Sequence, residues 1–238
     1  GEGRMGLYFL ELAHLREGAE VLYDRKDSAF SHFELREEDF SLLSHSSLLH
    51  LTGITPPLSP TCDRNVRNLL KLKPAGLVVS FDVNYRSKLW SPQQCRKFME
   101  EVMEYIDIMF IKEEDLQIIF EMESEDYEEK LTFLQSNYGK DKIYVLTAGE
   151  KGCFVLGDDI FIHQPSFAAE AVDRIGAGDA FVAGFLYGYL GKKSLQEAAL
   201  WGNAMASLKM SVVGDMPIFD RHFVEALVTS SISGKVNR

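Results

Sequence analysis

From Leu48 onward, short apolar runs alternate with amphipathic stretches, and no other feature of the chain limits its fold so strongly. Leu48–Ile54, Leu77–Val83, Ile106–Ile111 and Ile143–Thr147 are nearly continuous in apolar residues, as expected of strands covered on both faces. Thr61–Leu72, Pro92–Tyr105, Glu113–Phe120 and Tyr127–Asn137 lie between or beside them with helical patterning. Strand and helix in alternation predict an α/β fold with a mostly parallel sheet and right-handed crossovers. Upstream, Met5–Leu12 and Glu20–Arg25 alternate apolar and polar residues across a polar link containing Gly18, which predicts a half-exposed hairpin. Gly152–Leu156 and Asp159–His163, joined by Gly157-Asp158, predict a second hairpin at the sheet's far edge. Ala177–Leu190, Leu195–Val212 and Asp220–Thr229 complete the chain as helices. Residues 1–33 are expected to form a small β segment and 34–238 an α/β core.

Bulk composition narrows the function classes. A chain of 238 residues, 46% hydrophobic and 26% charged, suits one large domain with a small appendage. A net charge of −11 argues against a broad polyanion-binding surface, so no nucleic-acid polymer is expected as partner. Cys62, Cys95 and Cys153 are scattered without metal-ligand or redox spacing, which fits a reducing, cytoplasmic setting. The six histidines form no ligand pairs; His45 and His50 read as polar positions in or beside a core strand. No stretch is apolar enough for a membrane span and no signal peptide opens the sequence, so no membrane association is expected.

Chemistry concentrates at Gly176-Ala177-Gly178-Asp179, which precedes the apolar run Ala180–Leu190. Two glycines opening a helix leave backbone N–H groups uncovered, and these together with the helix dipole favour a phosphate. A carboxylate beside a bound phosphate makes sense if it takes a proton from a hydroxyl that attacks that phosphate. The plainer alternative is a tight turn with an acid in the first helical turn. In open α/β sheets ligands bind beyond the carboxyl ends of strands. Asp82, Asn84 and Arg86 follow one strand end and Thr147–Gly152 another, so both loops are expected on the same rim as Gly176–Asp179. Tyr23 and Arg25 alternate along a strand and share one face. A phenol and a guanidinium there suit the hydroxyl and carboxylate of a sugar acid, although a solvated edge arginine gives the same pattern.

Asp173-Arg174-Ile175-Gly176-Ala177-Gly178-Asp179-Ala180-Phe181-Val182-Ala183-Gly184-Phe185 resembles the C-terminal signature of the ribokinase-like (PfkB) carbohydrate kinases. Phe81-Asp82-Val83-Asn84-Tyr85-Arg86-Ser87-Lys88-Leu89-Trp90 and Tyr23-Asp24-Arg25-Lys26-Asp27-Ser28-Ala29 most resemble the 2-keto-3-deoxygluconate kinase branch. The resemblance implies a three-layer α/β/α core with a small β lid, ATP and Mg²⁺ as cofactors, and a monovalent cation as a further candidate. It implies transfer of a phosphoryl group to a sugar acid, with Gly176, Ala177 and Gly178 as cradle and Asp179 as general base. Tyr8, Tyr23, Arg25, Arg86 and Asp215 are then substrate residues. Asn84, Arg86, Thr147, Gly149, Gly152 and Asn203 are nucleotide residues. A homodimer through the lid is implied too.

Two departures and one gap qualify these expectations. Relatives position Mg²⁺ through water with Asn-x-x-Glu, whereas this chain has Lys112-Glu113-Glu114-Asp115, which leaves Asp115 as the candidate. Arg174-Ile175 replaces the hydroxyl residues usual before Gly-Ala-Gly-Asp. The sequence starts at Gly1-Glu2-Gly3, and the family's N-terminal section, with its Gly-Gly substrate turn, has no counterpart in it. A kinase for a neutral sugar or nucleoside, and a non-catalytic ligand-binding relative, stay open as alternatives.

Overall fold

The structure, a computed structural model, describes residues 3–11, 20–168 and 171–232. Two compact units divide the chain, Gly1–Ile106 and Asp107–Arg238. The Gly18 link and Leu12 lie outside the described residues.

In the first unit, β1 (Leu7–Glu11) and β2 (Glu20–Asp24) pair antiparallel, with Tyr8 opposite Tyr23 and Phe9 opposite Leu22. After the short helix α1 (Glu37–Phe40), β3 (Leu48–Thr52) and β4 (Val78–Asp82) run parallel, joined by α2 (Pro60–Lys71). A parallel pair needs such a crossover, and α2 buries Cys62, Val66 and Leu70 in making it. α3 (Pro92–Val102) buries Cys95, Phe98, Met99 and Val102. Both helices open on a serine followed by proline: Ser59 Oγ accepts the Cys62 N–H and Ser91 Oγ the Gln94 N–H.

In the second unit, β5 (Ile108–Lys112) and β6 (Ile143–Thr147) are parallel, while β7 (Cys153–Gly157) and β8 (Ile160–Gln164) add antiparallel. Its helices are α4 (Glu113–Phe120), α5 (Tyr127–Tyr138), α6 (Ala177–Leu190), α7 (Leu195–Met210) and α8 (Arg221–Ile232). Register separates two faces of this sheet. Phe110, Val145, Val155 and Ile162 share one; Ile111, Leu146, Phe154 and His163 share the other. α6 covers the first, with Phe181 and Phe185 meeting the Phe110 ring edge-on at 6.4 and 5.3 Å. α5 covers the second, where Tyr127 stacks on Phe154 at 3.8 Å. Helix, sheet and helix therefore form three layers, as predicted.

The β7–β8 turn differs from expectation by one residue. Asp158 and Asp159 occupy it, with φ of 53° and 57°, the two left-handed residues of a tight hairpin turn. Gly157 instead ends β7, because a Cβ there would meet Ile143 and Leu195 side chains at 3.0 and 3.1 Å. A glycine that looks like a turn in sequence is here a point of close approach.

Candidate active site

The turn before α6 is built around glycine. Gly176 is left-handed (φ 76°), and a Cβ on it would sit 2.2 Å from the main-chain oxygen of Asp215. No other residue fits there without backbone movement. No side chain caps α6. Among the described residues, the N–H groups of Gly178 and Asp179 have no hydrogen-bond partner, and a Cβ on Gly178 would meet nothing within 4 Å. Serine or aspartate side chains cap α2, α3, α5 and α7. At α6 the donors stay open, with Asp179 exposed beside them. Bare N–H groups, the positive end of a 14-residue helix and an accessible carboxylate suit an anion that is handed a proton acceptor.

Two segments brace this turn. Asp173, buried, accepts the Ile175 N–H on Oδ1 at 2.9 Å and the Gly214 N–H on Oδ2 at 3.0 Å. The Ile175 hydrogen bond lowers its carboxyl below the ordinary value; burial opposes this, while the Gly214 N–H and the Lys209 charge reinforce it. Asp215 itself is exposed, and its main chain forms the wall against Gly176.

Thr147 ends β6 and leads into the expected nucleotide loop, directly beside Lys112 at the end of β5. Gly149 (φ 55°) has open space where a side chain would point, whereas Gly152 (φ 91°) packs against the Gln164 main-chain oxygen, 2.2 Å from a would-be Cβ. Gly149 thus leaves room and Gly152 closes a joint. Arg174 reaches Glu150 at 3.5 Å, linking this loop to the Gly176 turn, though both side chains are exposed and such a pair contributes little. Asn203, buried in α7, donates its amide to the Gln164 and Pro165 oxygens at 2.8 and 3.0 Å. Its visible work is to hold the chain leaving β8.

Lys112 is exposed, and Asp115 is buried within the first turn of α4. Among the described residues, no three His, Cys, Asp or Glu side chains gather as a metal site. Sequence reasoning missed the neighbouring network. Glu113 accepts from Lys130 at 2.5 Å and from the Tyr127 hydroxyl at 3.1 Å, and Lys151 reaches that hydroxyl at 2.5 Å. Burial pushes Glu113 up, but these hydrogen bonds and the Lys130 charge hold it below the ordinary carboxylate range. Glu113 lies 14 to 38 residues from Tyr127, Lys130 and Lys151, so no local signal announces their meeting.

In the first unit, Asn84 takes a left-handed φ of 38° and its N–H donates to Asp82 Oδ1 at 3.2 Å. Arg86 is half-buried and donates to the Tyr85 main-chain oxygen at 3.0 Å. Lys88 on the same loop donates to Val21 O at 3.3 Å, tying the loop to β2. The Arg25 guanidinium lies over the Tyr23 ring at 3.9 Å, and the Tyr8 ring is 6.5 Å from that of Tyr23. Arg25 Nε is buried and has no hydrogen-bond partner among the described residues. A buried donor without a partner is expensive, so a water or a ligand atom is expected to complete the bond.

Residues 1–220 match the family of pfkB carbohydrate kinases. The chain is 31% identical over 234 residues to the 2-dehydro-3-deoxygalactonokinase of Haloferax volcanii, covering 98% of this chain and 73% of that one. Among solved structures, the 2-dehydro-3-deoxygluconokinase of Thermotoga maritima is similar with a TM-score of 0.87 and 29% identity, covering 96% of this chain and 74% of that one. A fructokinase double mutant from Vibrio cholerae, in a form with fructose, ADP and potassium ion bound, gives a TM-score of 0.73 at 25% identity, covering 87% and 68%.

Proposed function

Because this chain belongs to the pfkB family of carbohydrate kinases, we propose that it transfers the γ-phosphoryl group of ATP to a hydroxyl of a sugar acid of the 2-keto-3-deoxygluconate type. The ribokinase-like α/β core accounts for the class of reaction; the substrate class rests on Arg25. A neutral sugar has no charge for a guanidinium whose Nε is buried and, among the described residues, unpaired, whereas a carboxylate would complete it with charge-assisted hydrogen bonds. The names of two relatives, both kinases of 2-dehydro-3-deoxy sugar acids, point the same way.

Each residue then has a task. Arg25 and Arg86 meet the substrate carboxylate and phosphate charge, with Tyr8 and Tyr23 lining the sugar. The N–H groups of Gly178 and Asp179 hold phosphate oxygens in the turn set by Gly176 and Ala177, and Asp179 takes the proton from the attacking hydroxyl. Thr147, Gly149 and Asn84 bind the nucleotide, with Gly152 and Asn203 supporting them, and Asp215 contacts substrate. Mg²⁺ arriving with ATP neutralises phosphate charge when bound; Asp115 would orient its waters, and Lys112 would add a cation in place of a neutral amide. The β1–β2 hairpin serves as a lid that keeps water from the phosphoryl group. One face of it carries exposed Leu7, Phe9 and Leu22, which a second copy of the chain would cover in a homodimer. None of the described helices is long and apolar enough to cross a membrane, and three buried free cysteines suit a reducing cytoplasm.

ADP release measured in parallel with 2-keto-3-deoxygluconate, its galactonate epimer, fructose and ribose tests the substrate class. Arg25→Ala should lower kcat/KM for the preferred sugar acid by about 2–4 kcal/mol, or roughly thirty- to a thousand-fold, and barely change fructose. A wild-type preference for fructose, or a sugar-acid-to-fructose ratio untouched by the substitution, overturns the reading.

A further inference from the structure

Lys209, in the last turn of α7, is 0% exposed. Its ammonium donates to the main-chain oxygen of Asp173 at 2.9 Å and to that of Val212 at 3.5 Å, with Asp173 Oδ1 at 4.0 Å. An ammonium wholly removed from water persists only when oxygen atoms replace the lost solvent. These oxygens come from two segments: the one entering the Gly176 turn and the one leaving α7. Other bonds fasten the same two. Met210 O accepts the N–H groups of Val172 and Asp173 at 2.8 and 3.1 Å, and Asp173 Oδ2 accepts the Gly214 N–H. One residue beyond Gly214, Asp215 supplies the main-chain wall on which Gly176 rests. The ammonium therefore ties the segment that enters the Gly176 turn to the segment that leads to that wall.

We propose that Lys209 is a positioning residue for the phosphate turn, a built-in ammonium that fills the place a monovalent cation would need, so that nucleotide binding by this chain is independent of added potassium. The chemistry supports the exchange. Potassium and ammonium are close in size, and main-chain and carboxylate oxygens serve as ligands for both. The Vibrio cholerae fructokinase holds a potassium ion together with ADP and fructose, so a free cation is compatible with this kind of fold. The inference rests on the nucleotide-binding reading of the turn.

The experiment compares the chain with Lys209→Ala and Lys209→Met, the second keeping most of the buried stem. ADP affinity by calorimetry and melting temperature are measured in potassium, ammonium and choline chloride at equal ionic strength. The unaltered chain should bind ADP equally, within about two-fold, in all three salts. In choline the variants should bind on the order of ten-fold more weakly or worse. Potassium or ammonium should recover most of that loss for Lys209→Ala and raise its melting temperature above the value in choline. An unaltered chain whose affinity or melting temperature rises with potassium overturns the proposal, and this arm decides the matter even if both variants fail to fold. A folded Lys209→Ala that ignores the cations also overturns it. If no form binds ADP, the kinase reading fails by itself, and the ion-specific melting shift of Lys209→Ala still tests the cation site.

Discussion

Gly176 and Gly178 lie two residues apart, and a methyl group placed on each tests a different part of the reasoning. On Gly176 the added Cβ meets Asp215 O at 2.2 Å in a left-handed backbone. The conformational penalty is about 1–2 kcal/mol, and relieving the overlap by shifting backbone adds about 1–3 kcal/mol. Gly176→Ala should therefore lower the melting temperature by roughly 5–15 °C at the slope expected for a chain of this size. On Gly178 the added Cβ meets nothing within 4 Å and lies inside α6, where alanine is favoured over glycine by up to about 1 kcal/mol. Gly178→Ala should melt at or slightly above the wild-type temperature. Its methyl group stands in the open space assigned to phosphate, beside a bare N–H. Losing one hydrogen bond to a charged oxygen removes about 1.5–3 kcal/mol, so its Kd for ADP should rise by roughly ten- to a hundred-fold. Differential scanning fluorimetry and titration calorimetry on both variants separate the two effects. A Gly178→Ala variant that binds ADP like wild type would refute the phosphate assignment. A Gly176→Ala variant that melts like wild type would refute the packing argument.

Asp179→Asn should reduce kcat by ~10²-fold or more while ADP affinity stays within a few-fold; turnover near wild type ends its assignment as general base. Acid should weaken the fold through Asp173 and Glu113, both held below their ordinary values of 3.8 and 4.5. A depressed folded-state value means the stabilisation is complete above the unfolded value and is lost as pH falls through the folded one. Urea unfolding followed from pH 6 to pH 3 should thus be flat in this respect above about 5 and decline below about 4. Asp173→Asn should start less stable and decline less steeply, and an unchanged slope in that variant would contradict the Asp173 part of the argument.

How much of this was legible depended on the range of the interaction that carried it. α4 and α6 begin and end at the residues that their patterning indicated, and so does β6. Each is announced by apolar periodicity within its own span. The caps Ser59, Ser91 and Ser194, which the structure adds, act over the same short range, because a short hydroxyl side chain bonds an N–H three residues on. Tyr23 and Arg25 could be placed on one face from strand alternation alone, but the burial of Arg25 Nε with no partner among the described residues could not, since it reflects what packs around the strand. Lys209 was illegible for the same reason. Near the end of a helix a lysine reads as a solvated residue favoured by the dipole, and its partner Asp173 lies 36 residues earlier in the chain. Asn203 was listed as a nucleotide residue by resemblance, and the structure adds that its amide donates to the main chain at the end of β8.

The start of α6 joins the two kinds of signal. A serine at Gly176 would have the oxygen to cap the helix, as Ser194 does for α7. It would also occupy the N–H groups that a phosphate needs, and its Cβ would strike Asp215 O. The lack of an N-cap, which weakens a helix by about 1 kcal/mol, is therefore informative where every neighbouring cue favours a helix. Stability foregone at Gly176 is compensated by remote bracing: the buried Asp173 carboxylate on one side and the Lys209 ammonium behind it. A glycine at the N-cap of a long apolar helix, with an acid at its third position, thus directs the search toward buried charges distant in sequence, because something other than the helix must hold such a turn in place.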